Sequence, residues 1–129
     1  MSGPIIILGT NPRGDGQQPI AITGGSFGVY EWRGSGPDYL HVHHADDEAW
    51  HVLEGSLVFR FADGQVEAPA GATVFVPAGT PHAYSVGSES TRYLIILTPR
   101  LRELIEKLHA TPREKHNDIM REFDSEILG

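Results

Sequence analysis

Leu57, Phe59 and Phe61 alternate with Val58 and Arg60, the period of two that gives a β-strand one buried face. Ala62-Asp63-Gly64 follows, and Asp-Gly accepts the positive φ values that a tight strand reversal demands, so Gln65 to Ala68 reads as the returning strand. The same punctuation recurs along the chain. Ile20 to Thr23 and Phe27 to Arg33 are strand-like runs broken by Gly24-Gly25, and Gly34 to Asp38 is a loop leading into a strand at His41. Glu48 opens a strand rich in bulky residues, Trp50, Val52 and Leu53. Ala72 to Val76, His82 to Val86 and Thr91 to Thr98 continue the series, separated by Pro77 to Pro81 and by Gly87-Ser88-Glu89-Ser90. With a β-type run at Pro4 to Leu8, followed by an exposed loop of turn formers from Gly9 to Gly16, about ten short strands predict an all-β barrel or double-sheet jelly roll.

At Pro99 the period changes. Leu101, Leu104, Ile105 and Leu108 fall at i, i+3, i+4 and i+7, one apolar stripe of a helix. Thr111-Pro112-Arg113-Glu114 has the form of a capping box with Pro at the first helical position, which predicts a second helix with the stripe Ile119, Met120, Phe123 and Ile127. Residues 1–98 are therefore expected to form the barrel. Residues 99–129 are expected to be a pair of α-helices docked on its exterior.

The chain has 129 residues, enough for one domain with a single core. It contains no Cys, so neither disulfides nor thiolate chemistry are available, which fits a reducing compartment. Its apolar runs are too short to span a bilayer or to form a signal-peptide core, so a cytoplasmic protein is expected. Ten Lys and Arg stand against 17 Asp and Glu, a net charge of −7 that repels phosphate backbones and anionic membranes. Nucleic-acid and membrane partners are not expected.

The chemistry gathers in two places. On a strand, residues two apart share a face, so His41 and His43 present both imidazoles to one side. The polar turn Ala45-Asp46-Asp47 reverses the chain, and Glu48 brings a carboxylate beside them. His82 offers a third imidazole just after the rigid turn around Pro77 and Gly79. Tyr39 shares the parity of His41 and His43, Trp50 that of Glu48, and Tyr84 that of His82. All three are candidates to line the same cavity, with core packing the equal alternative for Trp50 and Tyr84. His44 and His51 have the opposite parity and belong on the outer surface or at a subunit contact, and His116 is expected to be solvated.

These residues resemble the two motifs of the cupin family. The first, His-x-His, four residues, Glu, six residues, Gly, is met by His41, His43, Glu48 and Gly55. The second, Gly, five residues, Pro-x-Gly, two residues, His, is met by Gly71, Pro77, Gly79 and His82. Two positions depart from the pattern: Ser35 stands where a glycine is usual, and Val86 where an Asn is often found. The resemblance implies a double-stranded β-helix, or jelly-roll barrel, that holds a divalent transition metal through His41, His43, Glu48 and His82. It places Fe(II) first, with Mn, Ni, Co, Cu or Zn also compatible with the donors. The similarity is to small, quercetin-dioxygenase-like cupins, whose tails are helical, and many cupins pair as homodimers.

Open coordination positions would admit a small-molecule substrate, so the reading is a metal-dependent, dioxygenase-like oxidoreductase in which Glu48 is both ligand and base. Cupin isomerases and lyases share this donor set. A non-enzymatic module that holds a metal and a small acid as sensor or store would use the same residues.

Overall fold

The computed structural model describes residues 3–7 and 19–129. In chain order its elements are β1 (Ala21–Thr23), β2 (Gly28–Trp32), β3 (His41–His43), β4 (Glu48–Glu54), β5 (Ser56–Phe61), β6 (Gly64–Pro69), β7 (Thr73–Val76), β8 (His82–Val86), β9 (Arg92–Leu97), α1 (Pro99–His109), α2 (His116–Glu122) and β10 (Ser125–Ile127). The strands make two five-stranded antiparallel sheets, ordered β1-β2-β9-β4-β7 and β10-β3-β8-β5-β6. This is the double-stranded β-helix that the motifs imply.

Alternation decides which side chains meet between the sheets. Trp50 and Val52 from β4, Leu57 and Phe59 from β5, and Tyr93, Ile95 and Leu97 from β9 are all buried to within 1% of completely. Trp50 packs edge-on against Phe59 at 5.0 Å and against Tyr84 at 5.3 Å between ring centroids, so aromatic contacts join the two layers. The β4–β5 reversal depends on Gly55, whose φ of +72° suits glycine and whose missing Cβ would meet Thr91 Oγ1 at 2.5 Å. On the outer face, Ile22, Val29, Ile96, Ala49 and Phe75 are successive cross-strand neighbours over β1, β2, β9, β4 and β7. Phe75 is 62% exposed.

The expected strand at Pro4 to Leu8 is absent over residues 3–7, where Ile5 and Ile6 are exposed. Leu8 and the loop from Gly9 to Gly16 lie outside the described residues. An apolar run needs a neighbouring edge to pair with, and none of the described strands pairs with this one.

The segment after β9 also differs in detail. Helix α1 forms as its stripe predicts, with Leu101, Leu104 and Leu108 buried, Pro99 in the first turn, and the Thr98 hydroxyl accepting from the Leu101 amide at 3.1 Å. The Thr111 capping box does not form. Thr111 Oγ1 donates to the Lys107 carbonyl at 2.7 Å, and a short 3-10 turn at Arg113–Lys115 precedes α2. Beyond α2 the chain turns at Asp124, with φ +53°, a conformation that Asp tolerates better than most residues. It then runs as β10 instead of continuing the helix, pairing Ser125 with His43 and Ile127 with His41.

Two acids that read as turn formers do more than turn. Asp46 is buried and accepts from Thr98 Oγ1 at 2.8 Å and from Arg100 Nη2 at 2.7 Å, tying the start of α1 to the β3–β4 turn. Asp47 Oδ1 accepts from the Ala78 amide at 2.8 Å and holds the turn before β8. A turn position predicts solvent for such side chains only when no neighbouring element crosses above them.

Candidate metal centre

His41 and His43 lie on one face of β3, His82 begins β8 directly opposite His41, and Glu48 begins β4 in the facing sheet. One donor atom from each of the four lies within 4.8 Å of the others, and all four residues are buried. The Nε2 atoms of His43 and His82 both stand 3.1 Å from Glu48 Oε1.

The outward nitrogens orient these rings. His41 Nδ1 lies 3.2 Å from the Tyr39 carbonyl and His82 Nδ1 2.9 Å from the Thr80 carbonyl. A carbonyl only accepts, so each Nδ1 carries a proton, and whenever the ring is neutral its Nε2 presents a lone pair inward. Lone pairs facing a carboxylate at 3.1 Å repel unless a proton or a cation lies between. Three imidazoles and one carboxylate in that arrangement suit a divalent ion.

Charge regulation in the metal-free site follows from the same contacts. Burial favours neutral Glu48, but its hydrogen bonds with His43 and His82 prevail and hold the carboxyl well below its usual range. Burial opposes protonation of His82, yet Glu48 raises it above the ordinary histidine value. His41 is pushed down to about 3, by burial first and then by the neighbouring His82 and His43. Between about pH 3 and 6.5 the unfolded chain therefore binds a proton at His41 that the folded chain refuses, so folding stability climbs as pH rises through that window. The Glu48 contribution has the same direction and is lost as pH falls below its unfolded value. Raised His82 contributes the reverse, a stability that fades only as pH passes its folded value. Chelator-treated protein is accordingly expected to show a urea midpoint that falls steadily from pH 6.5 to 4. A flat profile there would contradict this account of the site.

Above the four donors lies a cavity of about 460 Å³. Its apolar wall includes Ile95, Leu104, Ile105, Leu108 and Met120, so the two helices supply part of the cavity instead of resting only on the barrel's exterior. Glu31, Arg33, Arg102 and His109 add polar groups. Glu31 is already paired with the buried Arg92 at 3.3 Å.

Of the three aromatic residues that parity directs to the cavity, only Tyr84 lines it. Tyr93 donates to the Gly34 carbonyl, so the Tyr84 hydroxyl, 3.0 Å from that of Tyr93, is the donor between them. Burial pushes the Tyr84 phenol well above its ordinary value, which keeps it protonated. Gly36 permits this placement, since a Cβ there would stand 2.5 Å from the Tyr84 ring. Trp50 faces the interior but belongs to the core; its Nε1 makes no hydrogen bond of standard geometry, although it lies near enough to Tyr84 to favour the ionised phenol. Tyr39 is also buried. Its hydroxyl meets His116 Nδ1 at 3.0 Å, while its backbone oxygen orients His41. His116 is thus engaged and not merely solvated, with Nε2 2.9 Å from the carbonyls of Leu108 and Thr111. His44 and His51 lie outside, as parity requires, bonded to Glu126 and Thr73.

Two site residues escaped the sequence reading. Tyr93 had a visible signal, its parity with Ile95 and Leu97 on an apolar strand. Ser125, which stands 2.7 Å from His43 Nδ1, had none, because its strand was read as helix.

The departures from the motif meet each other: the Val86 amide donates to Ser35 Oγ at 3.0 Å. This bond anchors the loop after β2 to β8 through a side chain that the usual glycine would lack.

The Cupin_2 family, described as a cupin domain, matches residues 29–97. Among curated proteins the chain is similar to quercetin 2,3-dioxygenase of Bacillus subtilis, 32% identical over 97 residues that cover 73% of this chain and 28% of that protein. It is also similar to an uncharacterized protein of Streptomyces coelicolor, 32% identical over 56 residues, 43% of this chain and 53% of the other. The chain thus spans just over half the length of one of these relatives and less than a third of the other. Among solved structures, a Neisseria meningitidis protein superposes with a TM-score of 0.51 at 25% identity, covering 63% of this chain and 83% of its own. A cupin-2 domain containing protein from Shewanella frigidimarina gives 0.52 at 23% identity, covering 64% and 79%, a likeness of fold alone. No described helix is long and apolar enough to cross a membrane.

Proposed function

The chain belongs to the cupin family, and from that premise we propose that it is a divalent-metal-dependent enzyme acting on a small organic molecule, dioxygenase-like in its chemistry. The observation that carries this reading is the junction of four buried donors with a 460 Å³ cavity, since a purely structural ion needs no such space beside it. His41, His43, Glu48 and His82 would hold the ion. When bound, it supplies Lewis acidity and, if redox-active with Fe(II) first among the candidates, a route for electrons to dioxygen.

The protein's own contribution is shape and proton control. The wall of Leu104, Ile105, Leu108 and Met120 excludes water from one side of the substrate and favours an apolar body. Tyr84 keeps its proton committed to Tyr93, so its oxygen faces the cavity chiefly as an acceptor. Glu48 stands among the imidazoles, which makes it the carboxylate placed to take a proton from a substrate held there. The similarity to quercetin 2,3-dioxygenase supports the dioxygenase version over an isomerase or a lyase.

Glu48→Gln tests the assignment. An amide oxygen still coordinates, so the variant is expected to keep much of its metal while losing at least about 100-fold in turnover, the lower range for a removed acid–base group. Oxygen uptake and product mass would be followed for flavonols, 1,3-diketones and small 2-oxo or hydroxy acids with Fe(II), Mn(II) and Ni(II) protein. Substrate loss without oxygen uptake would replace the dioxygenase reading with a lyase or isomerase. Tight binding with no product in any metal form would replace it with a sensor or store.

A further inference from the structure

We infer that Ser125, from the segment that follows the family's matched residues, is the positioning residue that fixes His43 for metal binding. This rests on the metal-site reading above and deepens it. In β10, Ser125 is the register partner of His43 on β3, and its Oγ lies 2.7 Å from His43 Nδ1. The same Oγ donates its one proton to the Phe123 carbonyl at 3.1 Å. Toward His43 it can therefore only accept, so Nδ1 carries a hydrogen and Nε2, 3.1 Å from Glu48, is the ring atom left to face an ion. Ser125 is 3% exposed and His43 7%, so water does not substitute readily for the hydroxyl.

The other two imidazoles obtain this service locally. His41 and His82 each bond the carbonyl two residues before them, within the family's matched residues 29–97. His43 instead draws its acceptor from 82 residues further along the chain. Backbone bonds on both sides of β10, His44 N to Asp124 O at 2.8 Å and Leu128 N to Leu40 O at 2.7 Å, fix the strand's register and with it the hydroxyl. The tail thus completes the ligand set of the barrel without contributing a ligand.

The test is a Co(II) titration of the full chain against a competing chelator, read through the visible d–d absorption. Parent, Ser125→Ala, Ser125→Thr and Glu126→Ala would be compared, with the unfolding midpoint of each metal-free protein recorded beside it. Loss of the acceptor is expected to weaken Co(II) binding by about 10–100-fold and to alter the absorption band, as removal of a histidine's outer partner does elsewhere. Ser125→Thr, which restores a hydroxyl, should recover affinity to within a few fold. Glu126→Ala, next on the same strand with its carboxylate bonded to the exposed His44, should leave it unchanged. An unaltered affinity and band in Ser125→Ala would overturn the inference, as would equal losses in all three variants, which would assign the effect to strand pairing. Failure of the parent itself to bind Co(II) would instead overturn the metal-site reading.

Discussion

Protein carrying His82→Ala is expected to emerge from purification with almost no divalent ion, where the parent holds about one per chain. His82 is 1% exposed and stands 3.1 Å from Glu48 Oε1, so its truncation leaves that side of the cluster without an imidazole. Loss of a whole donor should exceed the ~10–100-fold penalty for losing a histidine's outer partner. The metal-linked part of stability should vanish with it. An ion present at ~100 times its dissociation constant stabilises the folded state by about 2.7 kcal/mol, and His82→Ala should show no such gain on metal addition. His44→Ala and His51→Ala provide the contrast. Both imidazoles point away from the centre, to Glu126 and Thr73, and both variants should keep full metal content. Elemental analysis of untagged protein checks all three, and an ion retained in His82→Ala would sink the four-donor assignment.

Deletion of residues 99–129 is expected to give insoluble or readily unfolded protein. Leu101, Leu104, Leu108, Met120 and Phe123 are each at most 6% exposed. At ~1.5–3 kcal/mol for each buried side chain, their burial contributes an amount comparable to the ~5–15 kcal/mol by which a whole domain is stable. The deletion also opens the wall of the cavity, removes the Arg100 partner of buried Asp46 and takes β10 from the edge of β3. Solubility and a thermal melt decide the matter. A truncated chain that stays soluble, melts with the parent and binds metal as tightly would show that the barrel is self-sufficient.

The four donors were legible because a strand fixes the direction of every second side chain, so spacing alone brought His41 and His43 to one face. Parity, however, gives the side of a sheet and not the depth within it. Trp50 and Tyr84 both face inward, yet Trp50 is sealed between Phe59 and Tyr84 while Tyr84 reaches the cavity. Tyr39 precedes its strand, where strict alternation no longer governs direction. The tail misled for a different reason. Thr111-Pro-Arg-Glu has the composition of a helix cap, but the Thr111 hydroxyl found the Lys107 carbonyl of the preceding helix first. Phe123 and Ile127 fit one helical stripe, yet the positive φ of Asp124 between them ends that period, and no glycine marks the place. The acids Asp46 and Asp47 were read from their turn alone, while their partners Arg100 and Ala78 come from segments more than 30 residues away.

β10 is only three residues long and lies at the edge of its sheet. Short edge strands open at free energies well below that of global unfolding. Such an opening would carry Ser125 away from His43 while β4, β5, β8 and β9 remain paired. On the assignment above, ion exchange would then keep the tempo of a local fluctuation, with the scaffold intact throughout. Folding would follow the same order, the hairpins closing before the 82-residue separation between His43 and Ser125 is bridged, so the barrel would stand before its metal is held fast.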